Sequence, residues 1–471
     1  MKSGRGISKV LFWMAAGMLV ASGARGDSIP FNIGTTDTVT NTVTTGIVIR
    51  KLNLLQKYLP NTGAYSGKSI EVSWQNFTSG PPITNAMMAD KLQVGAMGDY
   101  PLVINGSTFL GNKVSHSALV AVAGYNLFGS GNGIVANKAS PYYSLQDLKD
   151  KVVSVPFGSA AHGMVLKALA DAGLPDTYFH LVNQSPEVGS TNLQEQKIDA
   201  HADFVPFPEL LPYRGFARKI YDGAETNLPT WHGVVVRTDF AEKYPEIIVA
   251  YLRAIIDADA WVKADPKQAA EKIAEWTGTD KEVVYIFLGP GGIMTLDPTI
   301  KPALVQAGGT TAKFLEKLGR VSEFSVDQWV DDSYLRKAYA EAGLDYDKAA
   351  AITVNYEITG EDRFCGRPIV EPRAGGEIWI KDGAIEPLAT TACLLQAYGD
   401  LYARGEKIDV AYVFDHSRGI KLFASFAFYV VNTASDVVPF MLRSDAAAYA
   451  AKVGGTVKSF EDAVAAVRKR G

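Results

Sequence analysis

Gln75–Asn105 reads QNFTSGPPITNAMMADKLQVGAMGDYPLVIN, and its punctuation sets the fold. Ser79-Gly80-Pro81-Pro82 is a turn, residues 83–91 form a short amphipathic helix, and Val94-Gly95-Ala96-Met97 leads into a second turn, Gly98-Asp99-Tyr100-Pro101. Proline is tolerated in the first turn of a helix, where the N–H it lacks would be unpaired in any case. Pro81-Pro82 therefore starts a helix rather than breaking one. The Gly80 backbone and the N–H groups behind it face whatever occupies that helix start, a geometry suited to anions. An ordinary strand-turn-helix-strand unit of an α/β core carries the same signals, so the flanking sequence has to decide.

Upstream, Phe31-Asn32-Ile33-Gly34 is a strand entering Thr35-Thr36-Asp37-Thr38, whose side chains are expected to cap one helix over 39–59. Residues 68–74 alternate as a second strand, and 117–124 form another. This β-α-β-α-β order predicts a parallel sheet with crossover helices. A second α/β unit begins near Tyr125, with strands at 152–155, 179–183 and 199–204. Its helices open at Gly158-Ser159-Ala160-Ala161-His162-Gly163 and at Gly189-Ser190-Thr191, and a strand at 231–237 heads back to the first unit. Residues 244–346 read as helical, with Ile248, Tyr251, Leu252, Ile255 and Val262 on one stripe. Composition shifts near Thr353. Beyond it the element order repeats: strands 376–381 and 384–388, helix 391–404, strand 408–414; then strands 423–432 and 437–442, helix 444–453, strand 456–460. The tail therefore reads as an α+β domain of paired ββαβ units.

The 471 residues suit two or three domains at about 150 residues each. A net charge of −4 offers no basic surface for nucleic acid. No P-loop, H-E-x-x-H, C-x-x-C or G-x-S-x-G motif occurs. Lys2, Arg5 and Lys9 precede an apolar run over 10–21 and the small residues Ser22-Gly23-Ala24. That pattern is a signal peptide over 1–26, too short to span a membrane. The two cysteines, Cys365 and Cys393, lie far from it, so no lipid-anchor cysteine is present. The expectation is a soluble, exported, monomeric protein located in the periplasm.

Several of these pieces together resemble periplasmic solute-binding proteins of the nitrate/sulfonate/taurine class, the receptors of ABC importers. They are Ser79-Gly80-Pro81-Pro82, Gly98-Asp99-Tyr100-Pro101, Gly158-Ser159-Ala160-Ala161-His162, Asp199-Ala200-His201-Ala202-Asp203 followed by Pro206-Phe207, and Leu296-Asp297-Pro298 through 330–335. The resemblance implies a two-lobed periplasmic-binding-protein fold, type II-like. Residues 29–122 and 235–345 would form lobe 1 and 123–234 lobe 2, joined by a double crossover near 121–125 and 231–235. It also implies hinge closure on a small anion or zwitterion and delivery to an ABC permease. Thr36, Ser79, Gly80, Pro81, Ser159 and Ala160 are the expected contacts to the polar head, with Tyr100, Phe207 and Trp231 packing the remainder. Helix starts at Thr36, Pro81, Ser159 and Ser190 would converge there. Asp99 either binds an amine or caps a turn; His162 and the neighbouring His232 either reach the ligand or face away.

Residues 355–471 resemble the NosL-type copper-chaperone lipoproteins, through Cys365-Gly366, Gly376-Glu377-Ile378-Trp379-Ile380-Lys381-Asp382-Gly383, Phe426–Val431 and Val438-Pro439-Phe440. That family binds Cu(I) with a cysteine followed by methionines, but Arg367 stands where a methionine is expected. Cys365 and Cys393 are either thiolate ligands for Cu(I), a disulfide, or two free thiols. Otherwise no cofactor is expected. The cleft shows no nucleophile–base–orienter set, which argues against an enzyme. The main reading is an importer receptor for a sulfonate-, taurine- or nitrate-like anion. The alternatives are a receptor for a thiamine-precursor-like heterocycle, and a metal-handling or sensing protein acting through the C-terminal domain.

Overall fold

The computed structural model describes residues 28–468 apart from 114, 355, 434 and 435. The expected signal peptide lies outside the described residues. No described helix is long and apolar enough to cross a membrane.

The first lobe is built on β1 (Ser28–Thr35), β2 (Ser69–Asn76), β3 (Val94–Gly98) and β4 (Ser117–Asn126). The second carries β5 (Gly133–Asn137), β6 (Val152–Val155), β7 (His180–Asn183), β8 (Ala200–Asp203) and β9 (Ala217–Asp222). The chain returns through β10 (Thr230–Arg237) and adds β11 (Thr295–Leu296) to the first sheet. The sheet orders are β11-β4-β10-β3-β1-β2 and β7-β6-β8-β5-β9. β1 runs parallel to β2 and β3, and β6 parallel to β7 and β8. β10 is antiparallel to both β3 and β4, so the sheet is mixed rather than parallel throughout. Trp231 pairs with Tyr125 and Val234 with Ala121 inside the first sheet, so the chain leaves this lobe after β4 and re-enters it at β10. β10 is buried along its whole length, as a central strand covered on both faces requires.

Three local expectations need correction. The single helix over 39–59 is instead a 3-10 segment (Thr40–Thr45), a five-residue α-helix (Ile47–Lys51) and a 3-10 turn (Leu55–Lys57). Its threonine hydroxyls bond backward to the backbone, Thr42 to the Thr36 and Val39 carbonyls and Thr45 to that of Thr42, which competes with helical pairing. Thr36 therefore starts no helix. Gly98-Asp99-Tyr100-Pro101 is not a loop but the opening of helix Asp99–Leu110, with Pro101 harmless in its first turn. The next helix of lobe 2 runs Pro186–Gln194 and is capped by Ser185; Ser190 lies inside it and donates to the Pro186 carbonyl. β5 and β9 were not anticipated.

The C-terminal region keeps its ββαβ repeat. One sheet orders Ile385–Leu388, Gly376–Ile380, Ile408–Phe414 and Lys421–Phe423; the other orders Asp436–Phe440, Phe428–Thr433 and Thr456–Lys458. A 3-10 turn, Ala424–Phe426, splits the strand expected over 423–432 between the two sheets. This domain is welded to the rest through buried groups. Tyr285 lies 5.4 Å from both Trp379 and Tyr412 and donates to Glu377 Oε1 at 2.8 Å. Lys421 Nζ reaches Glu377 Oε2 at 2.5 Å and the Pro290 carbonyl at 2.9 Å. Arg418 pairs with Glu225 of lobe 2 at 3.0 Å, and Phe423 stacks on Tyr213.

Candidate functional site

The carboxyl ends of the two sheets face each other across the crossover, and there the lobes touch. Glycines mark the contact. A Cβ at Gly98 would lie 3.2 Å from Ala160 Cβ, one at Gly158 2.9 Å from Pro81 Cγ, and one at Gly163 2.3 Å from the Tyr100 ring. Pro81, Gly98 and Tyr100 of one lobe thus meet Gly158, Ala160 and Gly163 of the other. A cavity of about 50 Å³ remains between Asp99 and Tyr100 on one side and Ala160, Gly163 and Lys167 on the other.

The donors at this contact are backbone groups and neutral rings. Ser79 stands before helix Gly80–Met88 in extended conformation and caps it with no side-chain bond. Because Pro81 and Pro82 lack N–H groups, Gly80 supplies the first-turn donor there, and a side chain at Gly80 would collide with Pro101 at 2.6 Å. Ser159 caps helix Ala160–Asp171 by accepting from His162 N, which leaves the first N–H groups of that helix free. The Gly158 N–H donates to His162 Nδ1 at 3.0 Å, so the ring proton sits on Nε2. His232 is held the same way: Asn41 Nδ2 donates to its Nδ1 at 3.0 Å, and its Nε2 is 3.4 Å from where a Gly98 Cβ would be. Burial lowers His162 to about 4, with Arg320 adding a smaller push in the same direction, and lowers His232 to about 3. Both are neutral N–H donors at pH 7. Tyr100 Oη, Thr40 Oγ1 and Asn41 Oδ1 are buried without a partner among the described residues. Burial raises Tyr100 to about 12, and the positive charge of Arg320 opposes that rise.

Asp99 behaves as the helix-start residue. Its Oδ1 accepts from Tyr100 N at 2.6 Å, while Oδ2 accepts from Thr230 Oγ1 at 2.8 Å and Trp231 N at 3.3 Å. Burial lifts it to about 6. Two expected packing residues stand elsewhere. Phe207 opens helix Phe207–Tyr213 and packs edge-on against Phe204 in the core of lobe 2. Trp231 is 1% exposed inside lobe 1, because β10 points its ring against Gly233 and Gly308. Thr36 bonds Thr42 at 2.9 Å and lines the carboxyl end of β1. Asn41 and Arg320 were not singled out from the sequence; nothing in the threonine-rich run or after Gly319 distinguishes them locally.

In the C-terminal domain Cys365 and Cys393 are bonded as a disulfide, 28 residues apart. Asp362, whose carboxylate lies beside them, already accepts from the Phe364, Cys365 and Ala389 amides at 3.0, 2.9 and 2.9 Å. A disulfide and an occupied carboxylate offer neither thiolate nor thioether, so this set does not fit Cu(I) as it stands. Of the three states expected for the two cysteines, the structure holds the disulfide.

The neutral His162 has a measurable consequence. Its folded pKa lies below the ordinary value, so the folded state binds the proton less well and loses stability as pH falls from 6.5 towards about 4. His162→Gln is therefore expected to flatten the acid limb: its stability difference from the wild type should change by roughly 3 kcal/mol between pH 7 and pH 4, read by urea unfolding. A difference that does not move with pH would contradict a buried, neutral His162.

Two α/β lobes, crossed twice by the chain and meeting at helix starts, define the class of two-lobed binding proteins. The chain belongs to the NMT1-like family, whose model matches residues 31–278. It is 27% identical over 282 residues to a putative aliphatic sulfonates-binding protein of Bacillus subtilis, covering 59% of this chain and 81% of that protein. It is also 27% identical over 286 residues to the taurine-binding periplasmic protein of Escherichia coli, covering 56% and 84%. Among solved structures, the alkanesulfonate-binding protein from Xanthomonas axonopodis pv. citri bound to MOPS shares the fold with a TM-score of 0.54 at 19% identity, covering 65% of this chain and 99% of that one.

Proposed function

We propose that the protein is the periplasmic binding component of an ABC importer, and that its lobes close on a small sulfonate or sulfonate-like anion. The observation that carries the reading is the set of neutral donors gathered at the lobe contact, of which the Tyr100 hydroxyl is buried without a partner among the described residues. Free amides at the start of helix Ala160–Asp171, the Gly80 amide, the Nε2–H groups of His162 and His232, and the buried Tyr100 hydroxyl meet there. An anion is held by such donors and by the partial positive charge of helix starts with few formal cations. A buried donor left unpaired costs about 1–3 kcal/mol, which a ligand accepting from the Tyr100 hydroxyl would relieve. The names of the sulfonate- and taurine-binding relatives point to the same ligand class.

Binding rather than catalysis is the role supported at the lobe contact, where Ser159 and both histidines are engaged as caps and acceptors and the described residues assemble no nucleophile–base pair. The NosL-like reading of residues 355–471 rests on the motifs at Cys365-Gly366, 376–383, 426–431 and 438–440 and on the paired ββαβ order that agrees with them. A thermal-shift panel of ethanesulfonate, taurine, nitrate and a thiamine-precursor-like pyrimidine tests the reading. The expected result is stabilisation by a sulfonate, about 2.7 kcal/mol at a hundredfold excess over Kd. Stabilisation by the pyrimidine alone, or by none of the four, would overturn it.

A further inference from the structure

A second cavity lies far from the lobe contact, where lobe 2 meets the C-terminal domain. Its volume is about 190 Å³, and Pro212, Ile286, Phe423, Phe426, Phe428 and Met441 give it a mainly apolar wall. A dry engineered cavity of about 150 Å³ admits benzene, so this one has room for a single ring with one or two further heavy atoms. Its wall is drawn from both domains, and Phe426, 41% exposed, stands at the mouth. The aromatic residues are fixed: Phe423 packs edge-on to Phe426 at 5.8 Å and stacks on Tyr213 at 5.1 Å.

The wall also carries Lys138, Glu209, Arg218, Lys219 and Lys421, and among these Glu209 has an unpartnered acceptor. Glu209 is 4% exposed; its Oε1 pairs with Lys219, but its Oε2 is buried with no partner among the described residues. Lys219 in turn reaches Asp222 at 2.8 Å, so its two bonds go to Glu209 Oε1 and Asp222 and neither reaches Oε2. The other buried cation of the wall, Lys421, is committed to Glu377 and the Pro290 carbonyl. A buried carboxylate oxygen left unpaired beside an apolar wall calls for a donor brought from outside.

We propose that this interdomain cavity is a binding site for a small, neutral, ring-sized apolar molecule carrying one hydroxyl, whose O–H donates to Glu209 Oε2. The ring fills the space among Phe423, Phe428, Ile286 and Met441, and the hydroxyl satisfies the one open acceptor. Because the wall comes from both domains, the ligand is held only while they stay docked. Burial holds Glu209 up at about 7, so the acceptor is fully charged only on the alkaline side of neutrality.

Calorimetric titration of the full-length protein with benzyl alcohol, and with toluene as the probe lacking a donor, tests the assignment. The expected result is saturable one-to-one binding of benzyl alcohol, at least fivefold tighter than toluene. Ala427→Leu, which adds volume to the lining, and Glu209→Gln should each weaken benzyl alcohol binding at least fivefold. Ethanesulfonate titration of the same variants should be unchanged, which separates this site from the lobe contact. Absence of saturable binding to the wild type, equal affinity for toluene, or unaltered binding in Ala427→Leu would overturn the proposal.

Discussion

Replacing Gly163 by valine is expected to weaken sulfonate binding by roughly 5- to 150-fold, the factor matching about 1–3 kcal/mol for overpacking a tight contact. A Cβ at this position would sit 2.3 Å from Tyr100 Cδ2 and 2.8 Å from its Cγ, and Gly163 and Tyr100 belong to opposite lobes. The clash therefore falls on lobe closure rather than on the core of either lobe. Within helix Ala160–Asp171 the change exchanges glycine for a residue of better helix propensity, so the unliganded protein should not lose stability from the helix itself. Gly309→Ala is the control, because a Cβ there meets nothing within 4 Å. Calorimetric titration with ethanesulfonate reads both variants. Unchanged affinity in Gly163→Val would mean that the apposition of Tyr100 and Gly163 has no part in binding.

Lys421→Ala carries the largest expected effect on stability. Lys421 is completely buried and Glu377 is 4% exposed. Burial lowers the lysine below its usual range, and the facing Glu377 opposes that shift. Removing the ammonium leaves a buried carboxylate whose remaining bond among the described residues is the Tyr285 hydroxyl. Breaking a buried pair from one side costs about 3–5 kcal/mol, whereas replacing both partners by apolar groups of similar size is often neutral or stabilising. Urea unfolding should thus show a loss of that size in Lys421→Ala and recovery of most of it in the Lys421→Met, Glu377→Leu double variant. A loss below about 1 kcal/mol in the single variant would show that the pair does not hold the C-terminal domain in place.

How far the sequence could be read depended on the range of the interaction. Local rules worked. Pro81-Pro82 marked one helix start, and Ser159 capped the helix that begins at Ala160. The same proline rule applies at Pro101, but Gly98-Asp99 before it reads as a turn, and the helix beginning at Asp99 was hidden. At Ser185 and Ser190 two serines compete for one cap, and Pro186 in the first turn decides for Ser185. β9, with the charged pair Arg218-Lys219, has no apolar alternation, because the half-buried Lys219 is held by its carboxylate partners rather than by hydrophobicity. The site itself is long-range. Asn41 and His232 lie 191 residues apart, and the Gly98–Ala160 approach depends on how the lobes fold over each other. Phe207 and Trp231 were placed in the cleft on residue type, yet the facing of β10 and the packing of Phe204 turn both into cores.

The central claim is that a sulfonate is gripped between the starts of helices Gly80–Met88 and Ala160–Asp171. A crystal structure of the protein grown with ethanesulfonate, at a concentration shown calorimetrically to saturate it, tests this most directly. The account predicts density for the sulfonate group within hydrogen-bond distance of the Gly80 and Ala160 amides, with His162 or His232 Nε2 completing the shell. Sulfonate density at another place in the protein, with the lobe contact unchanged, would contradict it.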